Sequence, residues 1–164
     1  MEKNNYILDS VTSSKCISRR LKREFISMYD LYQEINVELT QKPNEICVNV
    51  YDFGVSYKFV IGVNYPFVCP TVFLNNRNYK QILGSKTNYE ITYLKKLTGV
   101  DCLCCGSLTC SEKWAPNNKL NDIINEIKYC KKIKRDLVLK ILTDKIKDKY
   151  LNSDIDLFSW LFLF

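Results

Sequence analysis

Four of the chain's eight cysteines fall in one run, Cys102-Leu103-Cys104-Cys105-Gly106-Ser107-Leu108-Thr109-Cys110, and the chain has no histidine. The missing imidazole excludes Ser-His-Asp triads, Cys-His nucleophile pairs, zinc hydrolases with histidine ligands and two-Cys-two-His fingers. Acid–base work falls to Asp, Glu, Lys, Tyr or thiol. A thiolate can still accept an acyl group and lose it again to an amine, and that step needs no histidine base. Thiolates also ligate zinc. Cys102, Cys104, Cys105 and Cys110 are the candidate ligands, with Cys69 or Cys130 able to complete a site. Their spacing lacks the two-residue knuckle usual for zinc, and adjacent cysteines serve one ion poorly. The other four, Cys16, Cys47, Cys69 and Cys130, lie in or beside apolar patterns. They read as small buried side chains.

The elements that must carry this run are those of a single domain, at 164 residues and 19.3 kDa. Residues 1–14 are polar and aperiodic, a flexible lead-in. From Lys15 to Glu34 the apolar residues Ile17, Leu21, Phe25, Met28 and Tyr32 form one helical stripe, with Ser13 or Ser14 as cap. Arg19, Arg20, Lys22 and Arg23 fall mostly off it. Three strand patterns follow: Ile35, Val37 and Leu39; Ile46 to Asp52; and Tyr57, Phe59, Ile61 and Val63. Turn signals at Lys42-Pro43-Asn44 and Asp52-Phe53-Gly54 separate them, which predicts an antiparallel meander. A fourth strand, Thr71 to Leu74, follows a segment closed by Pro66 and Pro70. Residues 75–101 read mainly as loop, with a short strand or helix over Tyr89 to Leu97. One helix starts near Asn118, with Leu120, Ile123, Ile124, Ile127 and Cys130 on a face. Another runs from about Arg135 to Tyr150, with Leu137, Ile141, Leu142 and Ile146 inward. The order predicts an α+β fold: an N-terminal helix, a four-stranded antiparallel meander and C-terminal helices. The domain spans residues 15–150, and 151–164 form an apolar tail from Leu157 to Phe164 behind Asp154 and Asp156. That tail should fold back or bury in a partner.

The N-terminus shows no signal-peptide pattern, and no run approaches the roughly 18 apolar residues of a membrane span. The expectation is an intracellular protein, cytoplasmic or nuclear, without membrane contact. Its cysteines should then be thiols or ligands rather than disulfides. Its richness in Lys, Asn, Ile and Tyr suits an A/T-biased genome, such as that of a large DNA virus or a protist. The net charge of +6 sits between Lys128 and Lys149, where nine basic residues face three acidic ones. That reads as a solvated helix face. Nucleic-acid binding is not expected, because no aromatics interleave with the lysines.

Four segments together resemble the ubiquitin-conjugating enzyme family. They are Arg20-Leu21-Lys22-Arg23-Glu24 in the first helix; Tyr65-Pro66-Phe67-Val68-Cys69-Pro70 with Thr71-Val72-Phe73; Gly99-Val100-Asp101-Cys102-Leu103; and Ser111-Glu112-Lys113-Trp114-Ala115-Pro116. The likeness covers about residues 15–134. It implies that family's fold, with Cys102 as the acyl-accepting nucleophile and Cys104 and Cys105 as rivals. It also implies partners: ubiquitin or a ubiquitin-like protein, an activating enzyme and a ubiquitin ligase. These would be met at Arg19, Arg20 and Arg23, at Phe67, and at Ala115 and Pro116. No cofactor is implied. Zinc on the four clustered cysteines is the alternative.

The chain departs from the family at the His-Pro-Asn motif ahead of the cysteine, where Tyr93-Leu94-Lys95-Lys96-Leu97 stands instead. The family's asparagine stabilises the oxyanion of aminolysis, so a second reading follows: an inactive variant that binds ubiquitin or another protein. The acyl-acceptor reading further expects Cys102 to be open in a groove beside residues 86–98. Cys104 and Cys105 should not converge on it within metal-ligand distance.

Overall fold

The computed structural model describes residues 19–42, 44–84 and 88–149. The predicted lead-in, the caps Ser13 and Ser14, Cys16 and the apolar tail lie outside the described residues. The fold is α+β. An N-terminal helix, α1 (Arg19–Tyr29), precedes the strands β1 (Glu34–Leu39), β2 (Glu45–Asp52), β3 (Val55–Gly62), β4 (Thr71–Leu74) and β5 (Arg77–Asn78). Four helices follow: α2 (Tyr79–Gly84), α3 (Asn88–Thr98), the single turn α4 (Leu103–Gly106), and α5 (Leu120–Lys149).

The strands pair in chain order, all antiparallel. Two of their turns hold both central residues at positive φ, which Gly and Asn tolerate and Phe does not. Phe53 and Gly54, at φ 44° and 76°, close the two-residue hairpin between Asp52 and Val55. Asn75 and Asn76, at 48° and 63°, close the one between Leu74 and Arg77. Both positive angles match the twist of a tight hairpin. The second hairpin adds a fifth strand to the expected four. Asparagines read as loop signals were a turn between two strands.

One face of the sheet carries Ile35, Val37, Val48, Val50, Tyr57, Phe59 and Val72 into the core, where Leu21, Phe25 and Met28 of α1 meet them. The helix stripe from Leu21 onwards is therefore the core-facing one. Each such large side chain contributes roughly 1.5–3 kcal/mol by leaving water. Leu120, Ile123, Ile124, Ile127, Cys130 and Ile133 of α5 complete the core.

Residues 79–84 are helical rather than loop, and of the two alternatives for Tyr89 to Leu97 the helix is the one that forms, over 88–98. In α3, Glu90 lies in the first turn and Lys95 and Lys96 in the last, each complementing the helix dipole. Gly99, at φ 77°, ends the helix by donating its N–H to Lys95 O at 2.9 Å. The two predicted C-terminal helices are one, because no proline or glycine interrupts residues 120–149 and the apolar period runs from Cys130 through Ile133 to Leu137. Past Leu137 the expected inward face opens: Ile141 and Leu142 are half-buried and Ile146 is exposed. Among the described residues no helix is long and apolar enough to cross a membrane.

Candidate thiol site

Two carboxylates that sequence reasoning did not single out as site residues organise the surroundings of the cysteine run, the buried Glu24 and the half-buried Glu126. Glu24, on α1, is 5% exposed. Both its oxygens accept from the Tyr65 hydroxyl at 2.8 Å, and it also accepts from Arg20 Nε at 3.0 Å and from the Leu120 backbone N–H at 3.0 Å. Arg20 reaches on to Asn118 O at 2.8 Å. Thus α1, the Tyr65-Pro66-Phe67 turn and the start of α5 share one anchor. Burial first, and then the Glu24 charge, push the Tyr65 phenol well above its ordinary pKa. The hydroxyl therefore stays a donor. The Tyr65–Pro66 bond is cis, and Trp114 Nε1 donates to Pro66 O at 2.7 Å with its ring against Tyr65.

Glu126, on α5, anchors the cysteine run itself. It accepts from Ser107 Oγ at 2.6 Å, from the Leu108 N–H at 2.5 Å and from the Tyr79 hydroxyl at 3.1 Å. Ser107 and Thr109 hydroxyls pair at 2.8 Å, both buried. This fixes the chain just after α4 and so fixes the turn that carries the sulfurs.

Cys102 is extended (φ −146°, ψ 129°) and caps α4, its sulfur accepting from the Cys104 N–H at 3.3 Å. The step from extended to helical backbone brings the Cα atoms of Cys102 and Cys104 to 5.5 Å, and the two sulfurs are joined in a disulfide. That separation is within ordinary bridging range. The expectation of thiols without disulfides is therefore overturned for this pair, since local backbone geometry rather than compartment places the sulfurs together. Cys105 is a free, exposed thiol with its sulfur 3.9 Å from that of Cys104. The Sγ atoms of Cys102, Cys104 and Cys105 all lie within 4.8 Å of one another. The rival cysteines thus do converge on Cys102, against the expectation of the acyl-acceptor reading. Cys110 does not belong to this cluster, so the four-cysteine set is brought together only in three.

The remaining cysteines divide as follows. Cys47 and Cys130 are buried, as expected. Cys69 is half-buried and points its sulfur at Pro70 O (3.4 Å) and Leu108 O (3.8 Å). Burial pushes its thiol up to about 11, so it is a poor source of thiolate.

An open hollow of about 600 Å³ is lined by Ile91, Thr92, Lys95 and Lys96 of α3 and by Asp101, the residue before Cys102; Cys102 is not part of its lining. Lys95 pairs with Asp101 at 3.1 Å across its end. Tyr93-Leu94-Lys95-Lys96-Leu97, the stretch that the resemblance sets against His-Pro-Asn, lies within α3. The side chains of Asn88 and Tyr89 lie outside the described residues. Cys102 itself is half-buried rather than open.

The predicted partner residues are presented unevenly. Phe67 is 78% exposed, Val68 beside it is exposed, and Arg19, Arg23 and Pro116 are exposed. Arg20 is committed to Glu24 and Asn118, and Ala115 is half-buried. The Arg20–Asn118 and Trp114–Pro66 bonds tie the three segments that carry these residues to one another.

No family of known proteins matches this chain. Curated proteins and solved structures likewise give no significant match.

Proposed function

We propose that the protein is a divergent ubiquitin-conjugating-like acyl carrier in which Cys102 holds ubiquitin or a ubiquitin-like modifier as a thioester. The observation that carries this reading is the placement of Cys102. It caps the single helical turn after the α3 hollow, on a frame where Trp114 closes on the Tyr65-Pro66-Phe67 turn. The four sequence segments of the resemblance and the α+β order of an N-terminal helix, an antiparallel sheet and C-terminal helices support the reading.

The Cys102–Cys104 bond must first open. A dithiol reductant supplies two electrons and two protons, as an intracellular setting does, and two thiols result. The Cys102 thiolate then attacks the thioester carbonyl carried by an activating enzyme. A carbon–sulfur bond forms at Cys102, the donor's carbon–sulfur bond breaks, and the donor sulfur leaves as the thiol. Phe67, Val68, Arg19, Arg23 and Pro116 are the exposed residues at which a ligase or the activating enzyme would dock.

A second reading is favoured by two observations: the disulfide on Cys102, and helix α3 in place of the family's oxyanion motif. In it the same frame is a binding module without transfer chemistry. Incubation of the reduced chain with activating enzyme, ATP and ubiquitin, followed by a non-reducing gel, separates the two. The carrier reading expects a thiol-labile adduct that is absent after prior oxidation with diamide and absent in Cys102→Ser. No adduct in the reduced wild type assigns the chain to the binding reading.

A further inference from the structure

Three sulfurs gathered on one turn suit more than acyl transfer. We propose that the reduced chain binds one soft monovalent cation, copper(I), through the thiolates of Cys102, Cys104 and Cys105 in a three-coordinate site. The proposal is independent of the acyl-carrier reading, although an ion seated there would occupy the same nucleophile.

Geometry comes first. At a metal–sulfur distance of about 2.3 Å, three thiolates in a trigonal plane sit about 4 Å apart. The Cys104–Cys105 sulfur separation is already 3.9 Å, and all three sulfurs lie within 4.8 Å of one another. Opening the Cys102–Cys104 bond lets that pair relax towards the same spacing. The residues are consecutive or next but one on a turn pinned through Ser107 and Leu108 to Glu126, so little ordering is needed on binding. Cys105 is exposed and supplies the entry path.

Donor chemistry decides the metal. Soft thiolates select copper(I), zinc and iron–sulfur clusters among biological ions. A structural zinc site wants four protein ligands. The cluster among the described residues offers three, and the chain has no histidine to add. Cys69 is the cysteine held against the same loop, and its buried thiol resists ionisation. Copper(I) is satisfied by three sulfurs alone. The two steps balance: the phosphine gives two electrons to the disulfide and becomes its oxide with oxygen from water, whose two protons go to the sulfurs, and three thiols then bind Cu⁺ with release of three protons. The product is a complex of net charge −2.

The test uses the full-length chain, reduced with a phosphine and desalted under anaerobic conditions. It is titrated with copper(I) against a chromogenic copper(I) chelator, with sulfur-to-copper charge-transfer absorption as the second readout. Wild type should take up one ion per chain. Cys105→Ser should lower the affinity by at least tenfold, since even loss of an outer-shell partner costs about 10- to 100-fold. Cys110→Ser and Cys69→Ser should match wild type. Far-UV circular dichroism checks that each variant is folded, and the exposed position of Cys105 makes its substitution the safest of the three. The proposal fails if Cys105→Ser binds as wild type does. It fails equally if Cys110→Ser weakens binding as much as Cys105→Ser, which would mark a four-sulfur site. Equal copper uptake by a variant with Ser at 102, 104 and 105 would mark adventitious binding and also end it. No modifier or activating enzyme is present, so failure here leaves the acyl-carrier reading to its own assay.

Discussion

Glu24 and Glu126 both gather donors from segments far apart in sequence, yet they organise different things. Glu24 is nearly sealed and ties α1, the Tyr65 turn and the first residue of α5 into one frame. Glu126 is only half-buried and ties α5 to a local stretch, Ser107 and Leu108, and to Tyr79. One carboxylate belongs to the fold and the other to the site. A buried polar network rigidifies what it joins only when each member is satisfied, so removing either one tests what it joins.

The largest effect should come from Glu24→Ala. It strands the Tyr65 hydroxyl and the Leu120 N–H and leaves Arg20 only its bond to Asn118 O, and breaking such a charged set around a buried carboxylate costs about 3–5 kcal/mol. Urea unfolding should show it as a lower midpoint. A loss below about 1 kcal/mol would mean that the frame does not depend on this anchor.

Glu126→Ala should cost less, about 2 kcal/mol for its stranded donors. Its signature is local. Amide hydrogen exchange should quicken at residues 107–110 while the sheet stays protected. Uniform loss of protection would erase the distinction between frame and site. Trp114→Phe removes only the bond to Pro66 O and keeps the aromatic packing, so about 1 kcal/mol is expected by the same denaturation.

The smallest effect at neutral pH is an alkaline one. Burial first, then Asp52 and Tyr57, push the Tyr32 hydroxyl up to about 12 from its ordinary 10.0. Its folded pKa is raised, so the neutral form is favoured in the fold. That contribution is complete below about 10 and is lost as pH rises from there through about 12. Stability measured by denaturant between pH 9 and 12 should fall over that window. Tyr32→Phe should flatten part of the slope, with Tyr65 and Tyr79, also raised by burial, supplying the rest.

Much of the frame was legible because apolar periodicity is a local signal. Leu21, Phe25 and Met28 at helical spacing and the alternation around Val48 and Phe59 lead directly to buried faces. The fifth strand and α2 were hidden because asparagines that favour loops also favour positive-φ hairpin turns, and neither element exceeds six residues. The single long α5 was hidden by a lysine-rich stretch that interrupts hydrophobicity without interrupting the helix. Glu24 and Glu126 escaped notice because their burial depends on donors up to 96 residues away. A trace existed: Glu24 sits between Leu21 and Met28 on the apolar stripe, and Glu126 lies beside Ile127. A carboxylate on a core-facing stripe points to a buried partner.

For the site itself, the sequence located the cysteine run but not its geometry. Spacing alone does not say that Cys102 is extended while Leu103–Gly106 is helical, and that change of direction is what joins Cys102 to Cys104 and leaves Cys105 alongside.

The central claim is that Cys102 is the acyl-accepting sulfur of this turn. The most direct measurement is peptide mapping by mass spectrometry of the thioester formed by the reduced wild-type chain with a ubiquitin-like modifier, its activating enzyme and ATP. The account predicts the modifier's C-terminal acyl group on Cys102, with Cys104 and Cys105 unmodified. An adduct mapped to Cys105, or no adduct on any cysteine of the reduced chain, would contradict it.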